Sequence, residues 1–257
     1  MSADIKVIPV HSVAMGRTIE ISVMLPGSSG SDPGRRYPVI YFLDGHAGNG
    51  LRLFDRNDRD CFLSGVEERC DACGIIMVAV GCVDKWYLDS PIDPTVRWQT
   101  FLINELIPFV DRVFPTSARR ENRAITGLSM GGHGAFYTAL RNPDLFTAVG
   151  STSGALDLAS NELENYLDCV LDPKTALDRR TYSAVSFLEG AASGGLKIRF
   201  DCGTEDFLLP INRNLHAQLG KMGIDHDYLE FPGGHTHDYW GRRFPEHVDW
   251  FNRLFSR

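Results

Sequence analysis

The sequence predicts an α/β protein whose central, mostly parallel sheet is flanked by helices. Three observations support this fold class. Unbroken apolar runs of strand length recur along the chain, which is typical of strands buried on both faces of a parallel sheet. Segments with apolar residues at helical spacing separate these runs, and this alternation indicates a doubly wound sheet. One serine stands in Gly127-Leu128-Ser129-Met130-Gly131, between an apolar run and a helical segment.

The strands and helices can be placed in chain order. Segments 5–9 and 18–24 alternate apolar and polar residues, which predicts antiparallel strands at the N-terminal edge of the sheet. The predicted buried strands follow at 37–43, 74–80, 124–126, 148–151, 197–202 and 228–231. Apolar spacing predicts helices over 95–114, 132–141, 208–222 and 244–255.

Residues 154–190 interrupt this alternation, because they are helix-prone and contain no clear strand. They fall between two predicted core strands, so we interpret them as a helical insertion over the functional site rather than as a second domain. The chain has 257 residues and shows neither an internal repeat nor a linker. Its length therefore suits a single domain spanning residues 1–257.

Charge and hydropathy argue against two classes of partner. The net charge is −7 and the basic clusters are only dipeptides, whereas nucleic-acid binding needs a basic stripe. No apolar run approaches the roughly 20 residues that span a bilayer. The first residues lack the basic and apolar regions of a signal peptide. We therefore expect a cytoplasmic protein, or a secreted or periplasmic one if a leader has been removed.

The sequence predicts no bound metal. The pair Cys70-x-x-Cys73 has no second pair to complete a zinc site. The acidic stretch at 55–60 lacks the glycine and the distal glutamate of a calcium-binding EF-hand loop. The six cysteines are interpreted as thiols, since a core of this size needs no disulfides.

Ser129 is the candidate nucleophile. A Gly-x-Ser-x-Gly sequence between a strand and a helix is typical of a nucleophile elbow, a strained turn in which glycine relieves backbone crowding. The turn exposes the hydroxyl, and the amides that begin the next helix face any negative charge formed beside it. A serine nucleophile also needs a base and a carboxylate that orients the base. In this motif's usual context they follow in the order serine, acid, histidine.

Loops after the last two predicted strands contain the candidate acid and base. Glu205 and Asp206 both follow the run 197–202, whereas Asp201 lies inside it and is predicted to be structural. His235 is the favoured base, because the preceding glycines let the backbone carry its imidazole back to the serine. His237 in the same loop is the alternative base, or else a residue of the pocket wall.

Stabilising the oxyanion of ester hydrolysis needs two main-chain amides. Met130, directly after the nucleophile, is expected to supply one of them. The glycine-rich loop 44–50, which follows the first buried strand, is expected to supply the other. This chemistry needs no cofactor.

These motifs resemble the esterase D-like branch of the α/β-hydrolases. That branch includes short-chain carboxylesterases, S-formylglutathione hydrolases, feruloyl and acetylxylan esterases, and mycolyltransferases. The resemblance covers nearly the whole chain, through Met15-Gly16-Arg17 and the segments 41–45, 101–115, 127–132, 153–157, 202–206 and 233–240. It implies the α/β-hydrolase fold, with N-terminal antiparallel edge strands as predicted above.

The resemblance also implies roles for individual residues. Ser129, Asp206 and His235 correspond to the nucleophile, acid and base. The backbone amides of His46 and Met130 correspond to the oxyanion hole. The resemblance suggests four substrate-binding residues, Trp86, Tyr87, His237 and Trp240. Relatives often have an aromatic residue at position 237.

The sequence thus predicts a serine carboxylesterase that hydrolyses short-chain or carbohydrate-linked acyl esters, such as acetyl or feruloyl esters, through an acyl-enzyme. An S-formylglutathione hydrolase, an acyltransferase to a sugar hydroxyl and a catalytically silent carbohydrate-binding relative are the alternatives. Two departures argue against the S-formylglutathione hydrolase. The serine motif reads Gly-Leu-Ser instead of Gly-His-Ser, and no cysteine motif follows Gly45. The expected partner is a small-molecule or saccharide ester, and the sequence leaves monomer and homo-oligomer both open.

Overall fold

The computed structural model describes residues 3–30, 32, 34–51, 54, 64–172 and 176–255. Their strands form a single sheet with the spatial order β1-β2-β4-β3-β5-β6-β7-β8. The strands are β1 (Asp4–Ser12), β2 (Arg17–Leu25), β3 (Val39–Leu43), β4 (Ile76–Val80), β5 (Arg123–Gly127), β6 (Ala148–Thr152), β7 (Lys197–Gly203) and β8 (Asp227–Phe231).

The direction of the strands matches the prediction. β1 pairs antiparallel with β2, and β2 pairs antiparallel with β4. The remaining pairs, from β4 across to β8, are all parallel. The carboxyl ends of β3, β5, β7 and β8 therefore lie at the same edge, where open α/β sheets bind ligands.

Both faces of the central strands are covered, which explains their unbroken apolar runs. In β3, Val39, Tyr41 and Leu43 belong to the core on one face. Ile40 and Phe42 point the other way and join a second core. All five residues are buried, so a polar residue at any of these positions would lose its contact with water.

Helices pack on both faces of the sheet. The α-helices are α1 (Ser64–Cys73), α2 (Trp98–Thr100), α3 (Ile107–Val113), α4 (Met130–Arg141), α5 (Ala176–Tyr182), α6 (Glu189–Gly194), α7 (Leu209–Lys221) and α8 (His237–Leu254). Residues of α1 and α8 build one core, and residues of α2, α3, α4 and α7 build the other. The chain has the doubly wound α/β architecture that the sequence predicts.

Three helical segments differ from the sequence prediction. Helix α1 was not predicted, because its sequence is mostly polar and only Val66 and Cys70 are fully buried in the core, with Cys73 partly buried against it. The helix predicted over 95–114 contains a π-helical segment, Phe101–Leu106, between α2 and α3. Helix α8 begins seven residues before the predicted start, because the Thr236 side chain accepts a hydrogen bond from the Tyr239 amide and caps it.

The segment between β6 and β7 contains α5, α6 and the 3₁₀ turns Asn161–Tyr166 and Ala184–Phe187. Hydrogen bonds attach it to the loop that follows β4. The Trp86 indole Nε1 donates to the Tyr166 carbonyl at 2.9 Å, and the Ser90 hydroxyl donates to the Val170 carbonyl at 2.6 Å. That this segment is an insertion over the functional site, within one domain, stays a prediction.

Several sequence expectations concern groups outside the strands and helices. Cys70, Cys82, Cys169 and Cys202 are free thiols, whereas Cys61 and the acidic stretch 55–60 lie outside the described residues. The described residues contain no cluster of three or more His, Cys, Asp or Glu side chains that could hold a metal ion. Within the same part of the chain, no helix is both long and apolar enough to cross a membrane.

Candidate active site

Ser129 lies on a strained turn between β5 and α4. Its φ of 53° and ψ of −121° fall in a region that residues with a side chain rarely adopt. The flanking glycines make this turn sterically feasible. A Cβ atom on Gly131 would overlap the carbonyl oxygen of Leu43 in β3, and one on Gly127 would overlap the Gly131 carbonyl. The turn can therefore form only with glycine at both positions.

We expect Gly131→Ala to disrupt the elbow, because the added methyl group meets rigid backbone of β3 rather than a movable side chain. Thermal unfolding should show a loss of stability, and hydrolysis of p-nitrophenyl acetate should fall with it.

Gly220→Ala on α7 is the matched control, because a Cβ atom there has open space. It should retain full activity and raise stability by about 0.5–1 kcal/mol. Normal stability and activity in Gly131→Ala would contradict the steric argument.

Three side chains from different loops meet at this turn. The Ser129 hydroxyl lies 2.9 Å from Nε2 of His235. On the other side of the ring, Nδ1 of His235 lies 2.9 Å from Oδ2 and 3.1 Å from Oδ1 of Asp206. The Asp206 side chain is fully buried and also accepts a hydrogen bond from the Leu208 amide at 2.9 Å. A proton on Nδ1 leaves Nε2 free to accept the serine proton.

Glu205, the competing acid, and Asp201, predicted to be structural, have other partners than this imidazole. Glu205 is exposed and accepts hydrogen bonds from the Thr204 hydroxyl and the Gly233 amide, which lower its pKa. Asp201 is buried within β7. It accepts hydrogen bonds from the Tyr239 hydroxyl at 2.8 Å and from Nε2 of His247 at 2.6 Å. Asp201 thus joins the sheet to α8.

The loop after β8 positions His235 between two aromatic side chains. Gly233 has a φ of 137°, and a Cβ atom there would lie 2.7 Å from the Tyr239 ring. The Trp240 ring stands perpendicular to the His235 ring at 4.9 Å, and the Phe207 ring is tilted against it at 4.8 Å. His237 begins α8, is exposed, and contacts the edge of Trp240. It therefore lies near the site, where the imidazole that meets the Ser129 hydroxyl is that of His235.

The loop after β3 presents a second backbone amide to the site. The Asp44 carboxylate shapes this loop by accepting hydrogen bonds from the Gly45 amide at 2.8 Å and the Gly50 amide at 3.0 Å. Across the described residues, the amides of His46 and Met130 donate no hydrogen bond. Both residues line the cavity that contains Ser129. Two unused donors beside a nucleophile are what an oxyanion hole requires.

A cavity of about 370 Å³ opens onto Ser129. Trp86, His237 and Trp240, which the resemblance suggests as substrate-binding residues, line it. Their role in substrate binding stays a prediction. Tyr87 does not line the cavity, which differs from what the resemblance suggests, because its side chain is fully buried behind the loop after β3.

Sequence reasoning missed other residues of the cavity wall, namely Leu163, Tyr166, Phe207 and Leu208. Phe207 and Leu208 follow the acid directly, so their position next to Asp206 was a usable signal. Leu163 and Tyr166 lie in the segment between β6 and β7, where no motif marks them.

His133, which lies on α4 four residues after the serine, is not part of this arrangement. Its ring is buried, and Nε2 contacts the Tyr182 carbonyl at 2.9 Å. Burial lowers its pKa to about 4, so the ring is uncharged at neutral pH. Its contacts with the Trp86 and Tyr137 rings indicate a packing role.

Comparisons with known proteins agree with this geometry. Residues 12–251 match the family described as "Putative esterase". The chain is 29% identical over 230 residues to an acetyl esterase of Caldicellulosiruptor saccharolyticus, and the match covers 84% of each chain. It is also 29% identical over 253 residues to esterase Rv1288 of Mycobacterium tuberculosis, with 87% of this chain matched, but it spans only 54% of that relative's length.

A solved structure titled ferulic acid esterase superposes with a TM-score of 0.82 at 23% identity, covering 99% of this chain and 100% of the other. At this level of identity the superposition establishes the α/β-hydrolase fold. The family match covers almost the whole described core, including the elbow and both later loops. The chain therefore belongs to the putative esterase family, and it is an ester-hydrolysing enzyme with the α/β-hydrolase fold.

Proposed function

We propose that this enzyme is a serine carboxylesterase that works through an acyl-enzyme. The observation that supports this proposal most directly is the continuous hydrogen-bond chain from Ser129 through His235 to Asp206. Ser129, at one end of that chain, lines a cavity beside the His46 and Met130 amides, which donate no hydrogen bond within the described part of the chain. In this proposal Ser129 is the nucleophile, His235 the base, and Asp206 the carboxylate that holds the base in the correct tautomer.

The reaction proceeds in two halves. His235 takes the proton from Ser129 as the serine oxygen bonds to the ester carbonyl carbon. The His46 and Met130 amides stabilise the resulting oxyanion. Collapse breaks the bond to the alcohol, which leaves with the proton from His235. Water then attacks the acyl-enzyme, again with His235 as base, and releases the acid and free serine. The reaction requires no cofactor.

The cavity wall suggests the class of ester. It is mostly apolar, with Trp86, Leu163, Leu208 and Trp240 among its residues. Its volume exceeds what an acetyl group needs, so we propose acyl groups from short chains to hydroxycinnamoyl, on small-molecule or saccharide alcohols. The names of two similar proteins, an acetyl esterase and a ferulic acid esterase, support the two ends of this range. We also propose that the segment between β6 and β7 shapes the pocket, through Leu163 and Tyr166.

A fluorophosphonate probe followed by peptide mapping tests the mechanism. We expect one adduct, on Ser129, and an absence of label there would contradict the proposal. A panel of esters of increasing acyl length, including methyl ferulate and acetylated xylose, tests the substrate class. With S-formylglutathione as substrate, kcat/KM should be lower than with the simple esters. When a sugar acceptor is added to an ester assay, no acylated sugar should form. The opposite results would favour a thioesterase or an acyltransferase.

A further inference from the structure

The loop after β4 contains two consecutive strained aromatic residues. Trp86 has a φ of 55° and Tyr87 a φ of 56°, a region that non-glycine residues adopt only when surrounding contacts enforce it. Trp86 lines the cavity, so its side chain has an evident place there. Tyr87 is fully buried and outside the cavity wall. Its strained conformation therefore needs a separate explanation.

The Tyr87 hydroxyl reaches the start of the loop that contains His46. Its oxygen lies 2.8 Å from the Asp44 carbonyl and 3.0 Å from the Val80 carbonyl. The single hydroxyl proton can be donated to either carbonyl. Val80 ends β4 and its carbonyl also accepts from the Asp44 amide at 3.0 Å. The hydroxyl thus bonds at the junction of β4 with the loop after β3, two residues before His46.

The Tyr87 ring also packs directly on the elbow helix. Gly134 on α4 leaves room for it, since a Cβ atom at that position would lie 2.6 Å from Cδ2 of the ring. The Gln99 amide group donates to the Tyr87 carbonyl at 2.9 Å and to the Thr138 hydroxyl of α4 at 2.6 Å. Both the backbone and the ring of Tyr87 are therefore fixed relative to the helix that begins with Met130.

Contacts on the far side of His46 complete the attachment. The Ala47 amide donates to the Val83 carbonyl at 2.6 Å, and the Val83 amide donates to the Gly48 carbonyl at 3.1 Å. Ala47 and Val83 also have positive φ values, 64° and 59°. The loop after β4 therefore holds the His46 segment at both ends, and Tyr87 supplies the side-chain contact at one of them.

From this geometry we propose that Tyr87 is a positioning residue for the oxyanion hole. Its hydroxyl fixes the Asp44 carbonyl, and hence the His46 amide, relative to the Met130 amide at the start of α4. This inference rests on the proposed role of those two amides. Correct spacing matters because the donors must lie about 2.7–3.1 Å from the oxyanion rather than from the ground-state carbonyl.

Tyr87→Phe tests the inference, because it removes the hydroxyl and leaves the ring. Removing an oxyanion donor outright lowers kcat by about 10²–10³-fold, so displacing one should lower it by roughly 10-fold or more with little change in KM. Rates are taken per active site, counted by fluorophosphonate titration, so that misfolded protein does not contribute. Phenylboronic acid, whose adduct with a serine places an oxygen in the oxyanion hole, should bind more weakly by a similar factor.

Tyr37→Phe is the matched control, since Tyr37 is also fully buried and its hydroxyl contacts Ser28 before β3, at the opposite edge of the sheet. It should change neither kcat nor boronic acid affinity. If Tyr87→Phe lowers only the melting temperature, with kcat per site and boronic acid affinity unchanged, the inference is wrong and the proposed mechanism stands. If the wild-type protein forms no adduct on Ser129, the proposed function and this inference both fail.

Discussion

Replacing Ser129 with alanine should abolish ester hydrolysis, with kcat for p-nitrophenyl acetate lowered by about 10⁴-fold or more. The loss should be this large because His235 then has no hydroxyl to activate, and the remaining oxyanion donors act on unassisted water. The change removes one oxygen atom and leaves the backbone turn in place. Circular dichroism and thermal unfolding should therefore match the wild type.

Ser186→Ala serves as the control for this variant. Ser186 is exposed, and its hydroxyl donates to the Arg180 carbonyl at 2.6 Å. We expect it to retain wild-type activity and fluorophosphonate labelling, whereas Ser129→Ala should show neither. Residual labelling or near-normal turnover in Ser129→Ala would identify a different nucleophile.

The second large effect is expected for Asp206→Asn. This change keeps the size of the side chain but presents an amide to Nδ1 of His235, which favours the wrong tautomer of the ring. The comparable substitution in a serine protease lowers kcat about 10⁴-fold, and we expect a loss of that order. Steady-state kinetics at neutral pH, combined with the rate of fluorophosphonate labelling, measure it.

Glu205→Gln is the matched control, because Glu205 is the adjacent residue and was the competing acid in the sequence. Its carboxylate is exposed and bonds to the Thr204 hydroxyl and the Gly233 amide, not to His235. The two bonds go to different oxygens, so a glutamine can accept only one of them. Because the side chain is exposed, water can replace the other bond, and activity should stay within a few-fold of wild type. The reverse ranking of these two variants would make Glu205 the acid.

The sequence predicted the parts of the molecule that depend on local rules. Buried strands such as β3 were predictable, because a strand covered on both faces must be apolar throughout. The elbow was predictable because its turn requires glycines on both sides of Ser129. The loops with Asp206 and His235 followed from chain order once the nucleophile was assigned.

Features that depend on tertiary contacts were not predictable. Helix α1 has a polar sequence, and only its position against α8 explains it. The apolar spacing placed the start of α8 at residue 244, whereas the Thr236 cap starts the helix at His237. Tyr87 was expected in the pocket because the resemblance places the Trp86-Tyr87 loop there. Its side chain is instead buried against the Asp44 and Val80 carbonyls, and no sequence pattern reveals that position.

The buried Asp201 carboxylate links β7 to the Tyr239 and His247 side chains of α8. Since Tyr239 also packs on Gly233, this bond anchors the loop that carries His235, a residue 106 positions after Ser129. During translation, a nascent chain whose α8 has not yet emerged from the ribosome contains Ser129 but lacks a positioned His235. We therefore expect ester-cleaving competence to arise in one step, when α8 docks on the sheet.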